Sequence, residues 1–231
     1  MLYGFPGETP EDYADHPELF ERLHHLTPPI VCVPIRFDRF CPYFERAEAY
    51  GIEDLRPHPA YAEIYRGASP ERLYDLAYNF VGDYPEQRQF KRYGNTLNRA
   101  VQRWQERARD AALVMMDHRG RLVIGDFRGD APAYTTLAGA ARLLYLACDR
   151  IQHRRRLAEL LVERDGAPAS ARRLDDVLAP LLAAGLMIEE DERVLSLALS
   201  LDDAIPDPRT YFPPPSCWPH LSELMSLLDA A

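Results

Sequence analysis

The chain has 231 residues, 47% of them hydrophobic and 27% charged, which is enough for one large or two small globular domains with real cores. Its net charge of −9 argues against a general nucleic-acid binder, because phosphate contacts require concentrated Lys and Arg. No apolar run approaches the roughly 18 residues of a membrane span, and the start MLYGFPGETPEDY has neither a basic nor an apolar signal region. Four scattered cysteines, Cys32, Cys41, Cys148 and Cys217, in a chain that needs no disulfide staple predict reduced thiols and a cytoplasmic setting, with no membrane partner.

In chain order, residues 2–5 predict a short apolar strand ending at Pro6-Gly7. Thr9 follows as a helix N-cap with Pro10 at the first helical position, where its missing N–H costs nothing. That helix carries Leu19, Phe20, Leu23 and Leu26 on one face, with Pro17 as a kink or restart and Pro28-Pro29 as its stop. The run IVCVPIRF (30–37) predicts a strand buried on both sides, so strand, helix and strand make one parallel βαβ unit. Two apolar parallel strands leave unpaired edges, so further strands are expected from a partner chain or from an upstream part.

Beyond residue 37, aromatics and prolines without a period predict an ordered, irregular loop with short helical turns. Ser69-Pro70 opens a helix, and a longer one is expected from about residue 85 to 109 with Phe90, Tyr93, Leu97, Val101, Trp104 and Ala108 on a stripe that packs against the preceding domain, a ligand-binding stripe being the alternative. A change of pattern at Asp110 marks a domain boundary. ALVMMD and RLVIGDF flank a turn at His118-Arg119-Gly120, as a β-hairpin does, and residues 134–137 could add a short strand. Three helices are expected near 139–148, 153–163 and 174–184, the last closed by Gly185, and LMIEEDERVLSLAL reads as a second hairpin with an acidic turn. Helices followed by a two-stranded wing are a winged-helix arrangement. The tail is Pro-rich and is expected to run over the surface, with a short helix from 221 to 228.

Short motifs then carry a resemblance. LYGFPGETPEDY (2–13) resembles the strand-to-helix junction of the radical S-adenosylmethionine (SAM) barrel in cobalamin-binding members. DRFCPYF (38–44) followed by AYGIEDLRPHPAY (49–61) resembles the RiPP maturation radical SAM protein family, whose members modify ribosomally made peptides. The resemblance covers residues 2 to about 80. It departs at Cys41, where the family favours Ser, and in the absence of the C-x3-C-x2-C motif and of a cobalamin-binding domain. The four cysteines are not spaced to hold a cluster by three thiolates, so no cofactor is expected on this chain alone. In an intact relative the resemblance implies SAM, a 4Fe-4S cluster and cobalamin, with C-methylation as one possible reaction.

The fold class expected is therefore α/β, an incomplete part of a radical SAM barrel (1–109), then an α+β winged-helix domain (110–201) and a tail (202–231). The chain reads as a C-terminal fragment or subunit, inactive alone, whose missing half or a second copy would supply the remaining strands. By resemblance, Gly4, Phe5, Gly7 and Glu8 would back the adenine side of SAM once that half is present; a plain strand-to-helix turn is the alternative. Arg36, Asp38, Arg39 and Cys41 follow the second strand and are substrate-side candidates, with surface ion pairing as the alternative for the charged residues.

The C-terminal module resembles the leader-peptide recognition element of peptide-modifying systems, which implies that an extended precursor peptide adds a strand to a sheet edge. Leu122, Val123, Ile124, Gly125 and Phe127 are expected to offer that edge, with Val177 and Leu181 on the neighbouring helix. A stand-alone peptide binder and a DNA-binding regulator are the other readings. Arg150, His153, Arg154, Arg155, Arg156, Arg172 and Arg173 favour the regulator, whereas Glu189, Glu190, Asp191 and Glu192 on the wing would repel phosphates.

Overall fold

Proline and glycine punctuate the first third of the chain so closely that its elements are short. The computed structural model describes residues 1–166, 171–201 and 213–229. The chain divides into two units, Met1–Glu21 with Pro28–Gln105 and Arg22–Thr27 with Glu106–Ala231. Both mix helices with small sheets, and the described strands form four separate sheets and no closed barrel.

In the first unit β1 (Leu2–Tyr3) and α1 (His16–Leu23) precede β2 (Val33–Pro34), and β1 pairs β2 in parallel as the βαβ reading requires. Between them Thr9 and Asp12 form a reciprocal capping box on a 3-10 turn, Pro10–Tyr13, and α1 starts afresh beyond it. The continuous buried strand expected over 30–37 is corrected: Ile30 is 90% and Val31 53% exposed. Pro34 brings no N–H, and the chain turns into a separate strand, β3 (Phe37–Asp38).

α2 (Pro42–Glu45), β4 (Glu53–Pro57), α3 (Ala60–Ile64), α4 (Pro70–Leu76) and β5 (Asn79–Asp83) follow, with β5 antiparallel between β3 and β4. Ser69 caps α4, accepting from the Arg72 amide at 3.4 Å. Phe37, Ile52, Ala77, Phe80 and Tyr84 are the core of this part. α5 (Phe90–Arg107) begins after a 3-10 turn, Pro85–Gln89, and its stripe Tyr93, Leu97, Val101 and Trp104 is buried, as the 3.6-residue period predicts.

The second unit opens with a meander, β6 (Leu113–His118), β7 (Arg121–Asp126) and β8 (Ala133–Ala138). The β6–β7 turn has two central residues, Arg119 at φ 49° and Gly120 at φ 84°. Those positive angles are a type I′ turn, which prefers Asn-Gly. Arg119→Asn is expected to raise stability by about 0.5 kcal/mol, since Asn adopts this conformation more easily than Arg; urea unfolding measures it.

α6 (Gly139–Ala147), β9 (Gln152–His153), α7 (Arg154–Asp165), α8 (Ala171–Ala183), β10 (Met187–Glu190) and β11 (Arg193–Ser196) come next, with β11 paired between β10 and β9. Gly166 and Gly185 end α7 and α8 in the left-handed conformation. β12 (Leu199–Ser200) runs parallel to β6 and covers its outer side.

Strand alternation divides the sheet's two faces. Leu113, Met115, Leu122, Ile124 and Leu137 pack on α6, α7 and α8 with Leu144, Leu157, Leu161 and Leu178. Val114, Val123 and Phe127 pack on α9 (Trp218–Asp229) through Leu224 and Leu228. Each such side chain contributes about 1.5–3 kcal/mol by leaving water. The C-terminal helix expected over 221–228 is thus found, starting at Trp218, and is a core element; of the Pro-rich run expected on the surface over 205–219, residues 205–212 lie outside the described residues. No described helix is long and apolar enough to cross a membrane.

Residues 22–27 join this second unit through a buried polar network. Adjacent His24 and His25 point to different partners: His24 Nε2 lies 3.2 Å from the Arg128 carbonyl and His25 Nε2 lies 3.0 Å from that of Leu197. The Arg128 guanidinium pairs with Asp126 at 2.6 Å and donates to the carbonyls of Arg22 and Gly185 at 2.8 and 3.0 Å. The Tyr145 hydroxyl donates to the Leu186 carbonyl and accepts from the Ala198 amide.

Candidate functional site

The turn between β1 and the capping box brings Gly4, Phe5, Gly7 and Glu8 together. Gly4 stands at φ 78°, and a Cβ there would meet the Phe90 ring at 2.4 Å, so glycine is required twice over. The Gly4 carbonyl accepts from the Tyr84 hydroxyl at 2.5 Å and its amide donates to Tyr13 Oη at 3.3 Å. One oxygen of Glu8 accepts from the Phe5 amide at 2.8 Å and from the Tyr13 hydroxyl. Burial first and Glu8 next push the Tyr13 phenol well above its ordinary range. Tyr13 stacks on Tyr93, rings 4.7 Å apart, and the buried Tyr93 hydroxyl has no partner among the described residues. Gly7, at φ 91° with open space around it, is exposed.

The four candidates after the second strand do not form one site. Arg36 is 67% exposed, 4.0 Å from Asp38, and borders an apolar cleft of about 600 Å³ lined by Leu2, Val33, Ile35, His58 and Val81. Asp38 accepts from Asn79 Nδ2 at 2.6 Å. Arg39 is a structural pin: it donates to the Ala77 and Tyr74 carbonyls, and its guanidinium lies 5.1–5.3 Å from the ring centres of Phe44, Tyr74 and Phe80. Cys41 is half-buried at the start of α2.

No described group of three Cys, His or acidic side chains could hold a metal ion. Cys32 and Cys148 are buried, and burial pushes the Cys148 thiol up to about 12, the behaviour of small core residues. The thiols present do not fit a three-thiolate cluster seat.

The expected peptide edge moves by one strand. β7 is paired on both sides, to β6 and to β8, and Leu122, Val123 and Ile124 are fully buried. Gly125 fits under α9, where a Cβ would meet Leu224 at 2.7 Å, and Phe127 is 6% exposed. Leu181 is buried and Val177 packs against the same core, so these seven residues are core and offer no free edge. A hairpin followed by a third strand on the β7 side must hide β7, which the periodicity of single strands does not reveal.

The free edge is β8, AYTTLA, which pairs with β7 alone among the described residues. It holds no charge, proline or bulge, the devices by which exposed edges are usually blocked. Near its start the Tyr134 hydroxyl donates to the Glu223 carboxylate at 2.9 Å and the His220 carbonyl at 3.1 Å. Burial and then Glu223 push that phenol up to about 12. Sequence reasoning placed this strand without giving Tyr134, Thr135 and Thr136 a role.

The arginines proposed for DNA are largely paired. Arg154 binds Glu189 at 2.8 Å and also Asp175; Arg155 binds Glu159 at 3.4 Å; Arg156 binds Glu159 and Glu163 at 3.2 and 2.9 Å. Arg173 pairs with Asp165, and the Arg172 side chain lies outside the described residues. Compared with known proteins, this chain matches no family model, no curated protein and no solved structure.

Proposed function

We propose that this chain serves the maturation of ribosomally made peptides, its second unit holding the precursor's leader segment as a strand added to β8. The open, uncharged six-residue edge of β8 carries the reading: an extended peptide can satisfy its main-chain groups there at little desolvation cost. A three-stranded meander leading into α6, α7 and α8 supports a leader-recognition module, and β9, β10 and β11 around α7 and α8 support a winged-helix description. Paired arginines and an acidic β10–β11 turn weigh against a DNA-binding regulator.

In this reading the first unit is part of a radical SAM fold. The exposed apolar residues around the two-stranded β1–β2 sheet, Leu2, Val31 and Val33 among them, support further strands joining it from another polypeptide or a second copy. Its Gly4 to Glu8 turn would back the adenine side of SAM. The thiols present do not fit a 4Fe-4S cluster, so the cluster, the cobalamin and the bond-breaking chemistry belong to the completing partner, and this chain contributes peptide binding. Reduced thiols suit a cytoplasmic setting.

Amide exchange on the full chain tests this, with and without precursor peptides encoded by small reading frames beside the gene. Slowed exchange over residues 133–138 on adding a peptide is the expected result. Duplex-DNA binding that disappears when Arg154, Arg155 and Arg156 are changed to Gln, with no protection at β8, would replace this reading with the regulator.

A further inference from the structure

We infer that the peptide taken by β8 is itself charge-polarised, carrying a base at the end that meets Ala133 and an acid at the end that meets Ala138; this rests on the β8 reading above. The edge is neutral, but its two ends are not. Six residues at about 3.4 Å each set those ends roughly 20 Å apart.

At the first end stand two carboxylates. Among the described residues Glu223, which accepts from Tyr134 at 2.9 Å, makes no ion pair, and Asp130, three residues before β8, is exposed and unpaired. The neighbouring Asp126 is neutralised by Arg128 and adds no net charge.

At the other end lies a cleft of about 530 Å³ lined by Gly120, Gly139, Arg142, Leu143, Leu160, Glu163 and Arg164. Gly139 follows β8 directly at φ 57°, and a Cβ there would sit 3.1 Å from Arg164 Nη2, which places that guanidinium against the strand's end. Arg164 pairs with Asp165 at 3.3 Å, a carboxylate that Arg173 also binds. Arg121, opposite Ala138 in the ladder, has no ion-pair partner among the described residues. Arg142 is matched by Asp117, and Arg155 and Arg156 together match Glu159 and Glu163, so Arg121 leaves the surplus at this end positive. Leu143 and Leu160 give the cleft an apolar wall, which strengthens a charge pair formed beside it.

Charge complementarity sets partner and orientation more than affinity, and a wrong sign is penalised as strongly as a right one is favoured. A peptide with Lys at one end and Glu at the other satisfies both ends of β8 in one direction and clashes in the reverse direction. Both pairings, parallel and antiparallel, remain open to it, and the order of its charges selects between them.

The test uses the full chain and fluorescently labelled octapeptides, acetylated and amidated, with a Thr-Val repeat between two end residues. The Lys/Glu peptide is expected to bind about tenfold tighter than a Gln/Gln version at low salt, the gap closing to under about threefold at 0.5 M salt. Changing Arg121→Glu and Arg164→Glu together should shift preference to a Lys/Lys peptide at least about fivefold, and Glu223→Gln should weaken the Lys/Glu peptide by about threefold. Circular-dichroism melting checks that each variant folds, and the Glu223 variant reads the other end of the strand independently. Equal binding of Lys/Glu, Gln/Gln and Glu/Glu peptides, with protection at residues 133–138, overturns the polarity and leaves the edge. No binding by any peptide overturns both, and concentration-dependent dimers in sedimentation would then assign β8 to a second copy.

Discussion

Changing Arg128 to Met is expected to destabilise the second unit by about 3–5 kcal/mol, enough to unfold a marginal domain. Arg128 is 9% exposed in its side chain, and its removal leaves the half-buried Asp126 without its bidentate partner and the Arg22 and Gly185 carbonyls without this donor. Burial alone would raise the Asp126 pKa; the hydrogen bonds and charge of Arg128 reverse that and hold the carboxylate below its usual range. The double change Arg128→Met with Asp126→Leu should recover much of the loss, because a matched apolar pair carries no desolvation penalty. Urea unfolding of both variants measures this, and a single variant within 1 kcal/mol of the parent would show the pair to be peripheral.

Acidification should unfold the same unit through His25. Burial pushes this imidazole down to about 4 from an ordinary 6.5, the Leu197 carbonyl offsetting part of the shift. The ring donates from Nε2, so protonation would place a second donor at Nδ1, which is buried with no partner among the described residues. Above pH 6.5 neither the folded nor the unfolded chain binds this proton, and His25 leaves stability unchanged. Between 6.5 and 4 the unfolded chain takes it up and the folded one does not, so stability falls with falling pH by about 3 kcal/mol in all. His25→Gln, which keeps a donor for Leu197 and does not titrate, should flatten the slope between those two values. A variant with the parent's pH dependence would sink this assignment.

Local rules read well in this sequence. Thr9 with Pro10, Ser69 with Pro70, Gly185 after α8 and Gly120 in the β6–β7 turn each stand where the residue type requires, because capping and turn geometry depend on a few neighbouring atoms. The α5 stripe was legible for the same reason: Tyr93, Leu97, Val101 and Trp104 share one face of one helix. What was not legible depends on order in space. An apolar run such as 30–37 does not reveal whether a neighbour covers it, and Pro34 divided it into a largely exposed first piece and a second that ends in the buried Phe37. The apolar strand β7 looked like a binding edge, whereas burial on both faces and pairing on both sides is the commoner reason for such a run. The recruitment of residues 22–27 rests on the Arg22 carbonyl, on Leu23 and on two histidines, none of which has a local signature.

That recruitment bears on how the molecule can be cut. The second unit is discontinuous in sequence, with six residues lent from some eighty positions upstream of the rest. A gene fragment starting at Glu106, the obvious choice for isolating a peptide-binding module, would omit His24 and His25 and empty the space that they fill against Arg128 and Leu197. Supplying residues 16–27 as a separate peptide, or splicing them by a short linker ahead of residue 106, is the route by which such a fragment should regain the intact chain's melting behaviour.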